Sequence, residues 1–285
     1  MNRDNTTSLK KSHVTHHSSL VTRFLLAFQF LTIIPVKKMD NVSGKDVGGA
    51  SAFFPMVGAV QGLLAMLSAI VFLKVFPFEL SNGLVILVMT VINGGLHLDG
   101  LADTFDAIAS RGGKEKKLAI MKDSTVGPFG VITIVFVILL KYLSLNALFF
   151  NSSRAAYYSS LFLMPVFSRW LMVPAIFHSK PARQEGLGKM FIEHTGTKEM
   201  VSAAFFTVLF SFIALFVTDN HVSHYALLIT YYSLIFAVLY VFCIIAVWFA
   251  NKNFGGMTGD TFGAVSEISE ILFLIMAVIC SQRFF

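Results

Sequence analysis

The chain has 285 residues, of which 55% are hydrophobic and only 13% charged, and its mean hydropathy is +0.73. A soluble domain of that length has too little interior to hide so much apolar surface, so lipid must be the solvent for much of it. The formal charge of +6 comes without a basic stripe interleaved with aromatics, which argues against nucleic acid as a partner, and Cys243 and Cys280 lie inside apolar runs, which argues against a disulfide framework.

Residues 1–19 are polar, rich in Ser, Thr and His, and lack the apolar core of a signal peptide. They are expected to form a disordered tail, with residues 20–285 as a membrane-embedded catalytic domain. Residues 20–36 carry Arg23 within an apolar run and stop before Lys37 and Lys38, a pattern that suits an interfacial or re-entrant helix. Seven longer apolar runs follow at about 50–76, 82–98, 126–147, 157–178, 200–218, 224–250 and 263–283. Each is near the ~20 residues a helix needs to cross a bilayer. The expected fold is therefore all-α, a polytopic bundle of about seven transmembrane helices plus the short N-terminal helix.

With the N-terminus inside, seventeen Lys and Arg residues fall on the cytoplasmic side. Lys74, Lys141, Arg154 and Arg283 fall outside, and Arg169 is left within a span. That asymmetry sets the orientation. It also places Asp99, Asp103, Asp106, Asp123, Asp260 and Glu267 at the cytoplasmic face.

The densest signal is Asn93-Gly-Gly-Leu-His-Leu-Asp-Gly-Leu-Ala-Asp-Thr-Phe-Asp106. On a helix, Asp99, Asp103 and Asp106 stand at i, i+4 and i+7 and form one carboxylate stripe. His97 falls on nearly the opposite side unless the glycines break the helix. Like charges at this spacing repel, and a divalent cation relieves the repulsion. Mg²⁺ suits such oxygen donors, often with substrate phosphates completing its shell.

Lys122 and Asp123 precede a glycine-rich start to the next span, where a helix N-terminus favours phosphate. The same features also describe an ordinary helix start with Pro128 in its first turn. Arg169, deep in the fourth span, requires a polar cavity or an acid partner; phosphate contact and a structural ion pair are the two readings. Residues 181–188 could form a lid or a connector. A second acidic element, Asn253 to Glu267, echoes the first: each has Gly-Gly, an Asp four residues on and another acid seven beyond it.

In the order and spacing of its motifs the chain resembles the cobalamin synthase family of adenosylcobinamide-GDP ribazoletransferases. The resemblance runs from Phe24 to Val36, through Phe54-Pro-Met-Val-Gly-Ala-Val60, His97 to Ala107, Lys122-Asp-Ser-Thr-Val-Gly127, Ser168-Arg169 and Ala182 to Gly188, to the Gly-Gly-Met-Thr-Gly-Asp260 block. It implies that adenosylcobinamide-GDP and α-ribazole, or its 5′-phosphate, give adenosylcobalamin, or its 5′-phosphate, and GMP. It also implies Mg²⁺, a bacterial inner membrane with surrounding lipid, and association with other cobalamin-assembly enzymes.

On this basis Asp99, Asp103 and Asp106 are the expected metal ligands, with Asp123, Asp260 and Glu267 as further ones. Asp99, Asp103 and Asp106 of the carboxylate stripe and Arg169 are the expected catalytic residues. Lys122, Arg183, Gly256 and Gly259 are expected against the phosphates. Two alternatives share some of these features. A CDP-alcohol phosphotransferase matches Asp99-Gly-Leu-Ala only in part, and a secondary transporter would place its charges nearer the midplane.

Overall fold

The computed structural model describes residues 19–36, 42–218 and 225–284, and they form helices, turns and loops. The expected polar tail lies outside the described residues except for Ser19, whose hydroxyl accepts from the Thr22 amide and caps α1 (Leu20–Leu31). At 12 residues α1 is too short to cross a bilayer. It packs instead on α2 (Gly44–Ala50) and α3 (Phe54–Phe72), two helices joined by a single 3-10 turn.

Residues Gly44–Phe72 together are long and apolar enough to span the membrane. So are α7 (Pro128–Asn151), α8 (Arg154–His178), α10 (Thr197–Thr218), α11 (Tyr225–Phe254) and α12 (Gly259–Phe284). The remaining run, expected as one span over 82–98, is divided. α4 (Phe78–Ile92) meets α5 (Leu96–Ala109) at an 88° bend. Gly94 and Gly95 make that bend with φ of +62° and +68°, a left-handed backbone that side chains with a β-carbon resist. The acid-bearing α5 therefore leaves the direction of α4 and packs along α7 and α12, with Leu98, Leu101 and Phe105 against Val137, Ala264, Ile268 and Ile271.

α8 forms the centre, with α3, α10, α11 and α12 packed around it and every residue from Leu163 to Ile176 buried. A helix that is apolar all round needs such company. Small residues allow close approach: a β-carbon at Gly58 would come within 2.6 Å of the Pro165 carbonyl oxygen. The outer faces of α7 and α11 expose Val131, Val135, Phe136, Val241, Ile245 and Trp248, the surface that acyl chains cover in a bilayer.

The interior also holds charge. Lys141 Nζ of α7 lies 2.6 Å from carboxylate oxygens of both Glu267 and Glu270 of α12. Arg169 of α8 lies 3.6 Å from the other Glu270 oxygen. This corrects the expected external position of Lys141. An ammonium inside a span is held by buried acids in place of water.

Candidate functional site

The site begins where α5 crosses the first turn of α12. Two glycines let the backbones approach: a β-carbon at Gly100 would stand 2.8 Å from the Asp260 Cα, and one at Gly263 would stand 3.2 Å from the His97 Cα. This crossing brings Asp99 and Asp103 of α5 to the same place as Asp260. The two acidic elements expected to meet do so.

Local structure fixes Asp260. Thr258 caps α12, its hydroxyl accepting from the Thr261 amide while the Thr261 hydroxyl accepts from the Thr258 amide. Asp260 then sits in the first turn, where the helix dipole favours negative charge. The chain just before it pairs with the segment after α8: the Met257 amide donates to the Lys180 carbonyl at 2.8 Å, and the Ala182 amide donates to the Met257 carbonyl at 3.0 Å. That lacing carries Arg183 to Asp260, with Nη2 3.0 Å from Oδ2.

Arg183 does not balance the acids. Burial, followed by the neighbouring carboxylates of Asp99, Asp260 and Asp106, pushes the Asp103 carboxyl up to about 7 despite Arg183. Beside the group opens a cavity of about 670 Å³, lined at this end by His97, Arg183, Thr258, Gly259 and Asp260. α9 (Leu187–His194), α1 and α2 supply its other walls.

Among the described residues, no three His, Cys, Asp or Glu side chains are arranged to hold an ion by themselves. The donors nevertheless fit Mg²⁺ bound together with a phosphate. They are hard oxygens in excess over their cations, and Mg²⁺ commonly takes one or two carboxylates and completes its shell from substrate and water.

A sequence profile of the cobalamin-5-phosphate synthase family matches residues 23–278. The adenosylcobinamide-GDP ribazoletransferase of Geotalea daltonii is 36% identical over 261 residues, covering 92% of this chain and 98% of its own. Those of Clostridium tetani and Fusobacterium nucleatum are 35% and 34% identical, over 90% and 92% of this chain and 96% and 98% of theirs. The chain belongs to this family. Its activity is the family's: joining of α-ribazole and adenosylcobinamide-GDP to form adenosylcobalamin. No solved structure matches the chain significantly.

Several expected site residues of this family member are engaged by the scaffold. Asp106 accepts from the Gly127 amide at 2.7 Å and the Gly130 amide at 2.9 Å, capping α7 from another helix. The N-terminus expected to favour phosphate thus already holds an anion, the protein's own. Glu267, expected as a metal ligand, pairs with Lys141 at 2.6 Å. The second acid of each Gly-Gly element therefore goes to α7, while the first acid stays at the site.

Arg169, expected to touch phosphate, is fully buried. Its guanidinium donates to Gln61, Ser168 and Ser266 and faces Glu270, so the ion-pair reading describes it. Lys122 and Asp123 are exposed, and the Asp123 carboxylate accepts from the Thr125 amide and hydroxyl, which hold its carboxyl below the usual range. Gly256 packs under the Lys180 carbonyl as part of the lacing, whereas Gly259 faces open space at the cavity.

Sequence reasoning ranked His97 low and passed over Lys189 and Glu270. His97 lines the cavity, is 3% exposed, and neither ring nitrogen has a hydrogen-bond partner among the described residues. The signal for His97 was the Gly94-Gly95 break. The signal for Glu270 was an acid deep inside an apolar run.

Proposed function

We propose that the transfer is Mg²⁺-dependent and takes place at the junction of α5 and α12, with one or two of Asp99, Asp103 and Asp260 holding the metal together with substrate phosphate and water. The observation that carries this reading is the Gly100–Asp260 crossing, which gathers those acids beside a cavity holding Arg183 and Lys189. When bound, Mg²⁺ would neutralise diphosphate charge and make the phosphorus more electrophilic.

The residues of the chain do the rest. Arg183 and Lys189 place positive charge against the diphosphate, where catalysis of such transfers is mainly positioning and charge stabilisation. A ribazole hydroxyl attacks the cobinamide-bearing phosphorus, and a new phosphorus–oxygen bond forms. The diphosphate bond breaks and GMP leaves, while the hydroxyl proton passes to one of the aspartates. We place the chain in a bacterial inner membrane with this end in the cytoplasm, supported by the Lys and Arg asymmetry.

Membranes containing the protein, given adenosylcobinamide-GDP, α-ribazole and Mg²⁺, are expected to release GMP and form the joined product. Asp103→Asn, extracted in folded form, is expected to lose on the order of 100-fold in turnover or more. Near-normal turnover of that variant at saturating Mg²⁺ removes Asp103 from the metal set.

A further inference from the structure

The cavity has two unlike ends. One carries Asp260, Arg183 and His97. The other, about α1, α2 and α9, is walled by Leu26, Phe30, Val47 and Phe191. Its buried floor is apolar: Phe191, Val47 and Met172 are 3%, 6% and 1% exposed. Gln29 and Glu185 line the exposed rim and not the floor. The aromatic wall is built in advance. Phe30 and Phe191 lie 4.7 Å apart between ring centroids, and Phe54 braces both at 5.8 and 5.4 Å.

Size limits the occupant. About 670 Å³ suits one drug-sized molecule. A corrin with its side-chain amides exceeds that, and its adenosyl ligand is held on the corrin's cobalt, so the guanosine and ribazole portions are the ones that compete for the space. Their bases differ in chemistry. Guanine presents donors and acceptors along its edges, and against this floor they would lie unpaired after losing water. Dimethylbenzimidazole is bicyclic, flat and methyl-edged, and asks for aromatic and aliphatic contact.

We propose that the α1/α2/α9 end of the cavity is the seat of the ribazole base. The nucleoside enters base first, its ribose turned toward Asp260, Asp99 and Asp103, while the corrinoid and guanosine portions stay at the mouth. The assignment rests on the ribazoletransferase reading and on the placement of the acids. It makes α1, which crosses no membrane, part of the acceptor site.

The test has two arms. In the first, binding of α-ribazole to the purified wild-type protein is measured without corrinoid or Mg²⁺, with 5,6-dimethylbenzimidazole and GMP as competitors. Dimethylbenzimidazole is expected to displace α-ribazole and GMP to have no effect. Equal displacement by GMP overturns the proposal. In the second, Phe30→Leu keeps apolar bulk and removes the aromatic face. Its KM for α-ribazole is expected to rise about tenfold while its KM for adenosylcobinamide-GDP stays within about twofold. A rise confined to adenosylcobinamide-GDP assigns the chamber to guanine and overturns the proposal. Should Phe30→Leu fail to fold, the wild-type competition decides alone. Base-selective binding without any turnover would leave the seat standing and sink the transfer reading, so the two failures are distinguishable.

Discussion

Asp103 shares its end of the bundle with Asp99 and Asp260, and burial together with their charge brings its carboxyl to about 7. Because this folded value lies above the unfolded one, the folded state holds the proton more tightly. In metal-free protein the contribution of Asp103 to stability is present at low pH and is lost as pH rises toward 7. Cation binding has the opposite sign, since it needs the carboxylate. The apparent Mg²⁺ affinity is expected to weaken as pH falls below about 7, by up to about tenfold per unit, and Asp103→Asn should flatten that dependence. Calorimetric Mg²⁺ titrations at pH 6, 7 and 8 check both. Lys141 makes a different prediction. Replacing it with Met strands Glu267 inside the bundle and leaves Glu270 only Arg169 at 3.6 Å, at a cost of about 3–5 kcal/mol. Loss of monodisperse protein after extraction, or a large drop in unfolding temperature, is the expected result. These residues also mark the limit of sequence reading. Asp106 and Glu267 read as acids of the site because spacing shows where carboxylates recur but not what neutralises them. The partners of Glu267 and Asp106 lie 126 and 21–24 residues away.

Helices were the legible scale, because lipid imposes a length and a composition that hydropathy reports directly. The boundary that failed was the end of the second run, where Gly94 and Gly95 turn the chain before the apolar stretch is over. The contact between α5 and α12 could be suspected from the matching Gly-Gly-and-acid elements, but their face-to-face glycines only become visible in three dimensions. Gly100→Val is expected to push α5 off α12 and lower turnover by on the order of 100-fold, as small misplacements of catalytic groups do. Gly83→Ala, on α4 with nothing within 4 Å of the new carbon, should leave turnover unchanged. Measuring GMP release from the two variants side by side separates loss of that contact from a general intolerance of glycine replacement.

At the scale of the whole molecule, the acids, the cavity and the laced loops occupy one end of the bundle, while the α3–α4 connection occupies the other. The orientation proposed for the chain predicts that Lys122→Cys reacts with a membrane-impermeant maleimide in inverted vesicles, and Val75→Cys in intact spheroplasts. Both positions are exposed and both native cysteines are buried. The reverse labelling pattern would invert the topology. α5 is fastened three times over: at its start by the bend from α4, in its middle by Gly100 on α12, and near its end by Asp106 on α7. A rod pinned at three points does not bow toward what arrives beside it. If the transfer runs at these carboxylates as proposed, discrimination falls to a ruler already in place, and a corrinoid joined through one phosphate or three is expected to meet them out of step and give no joined product.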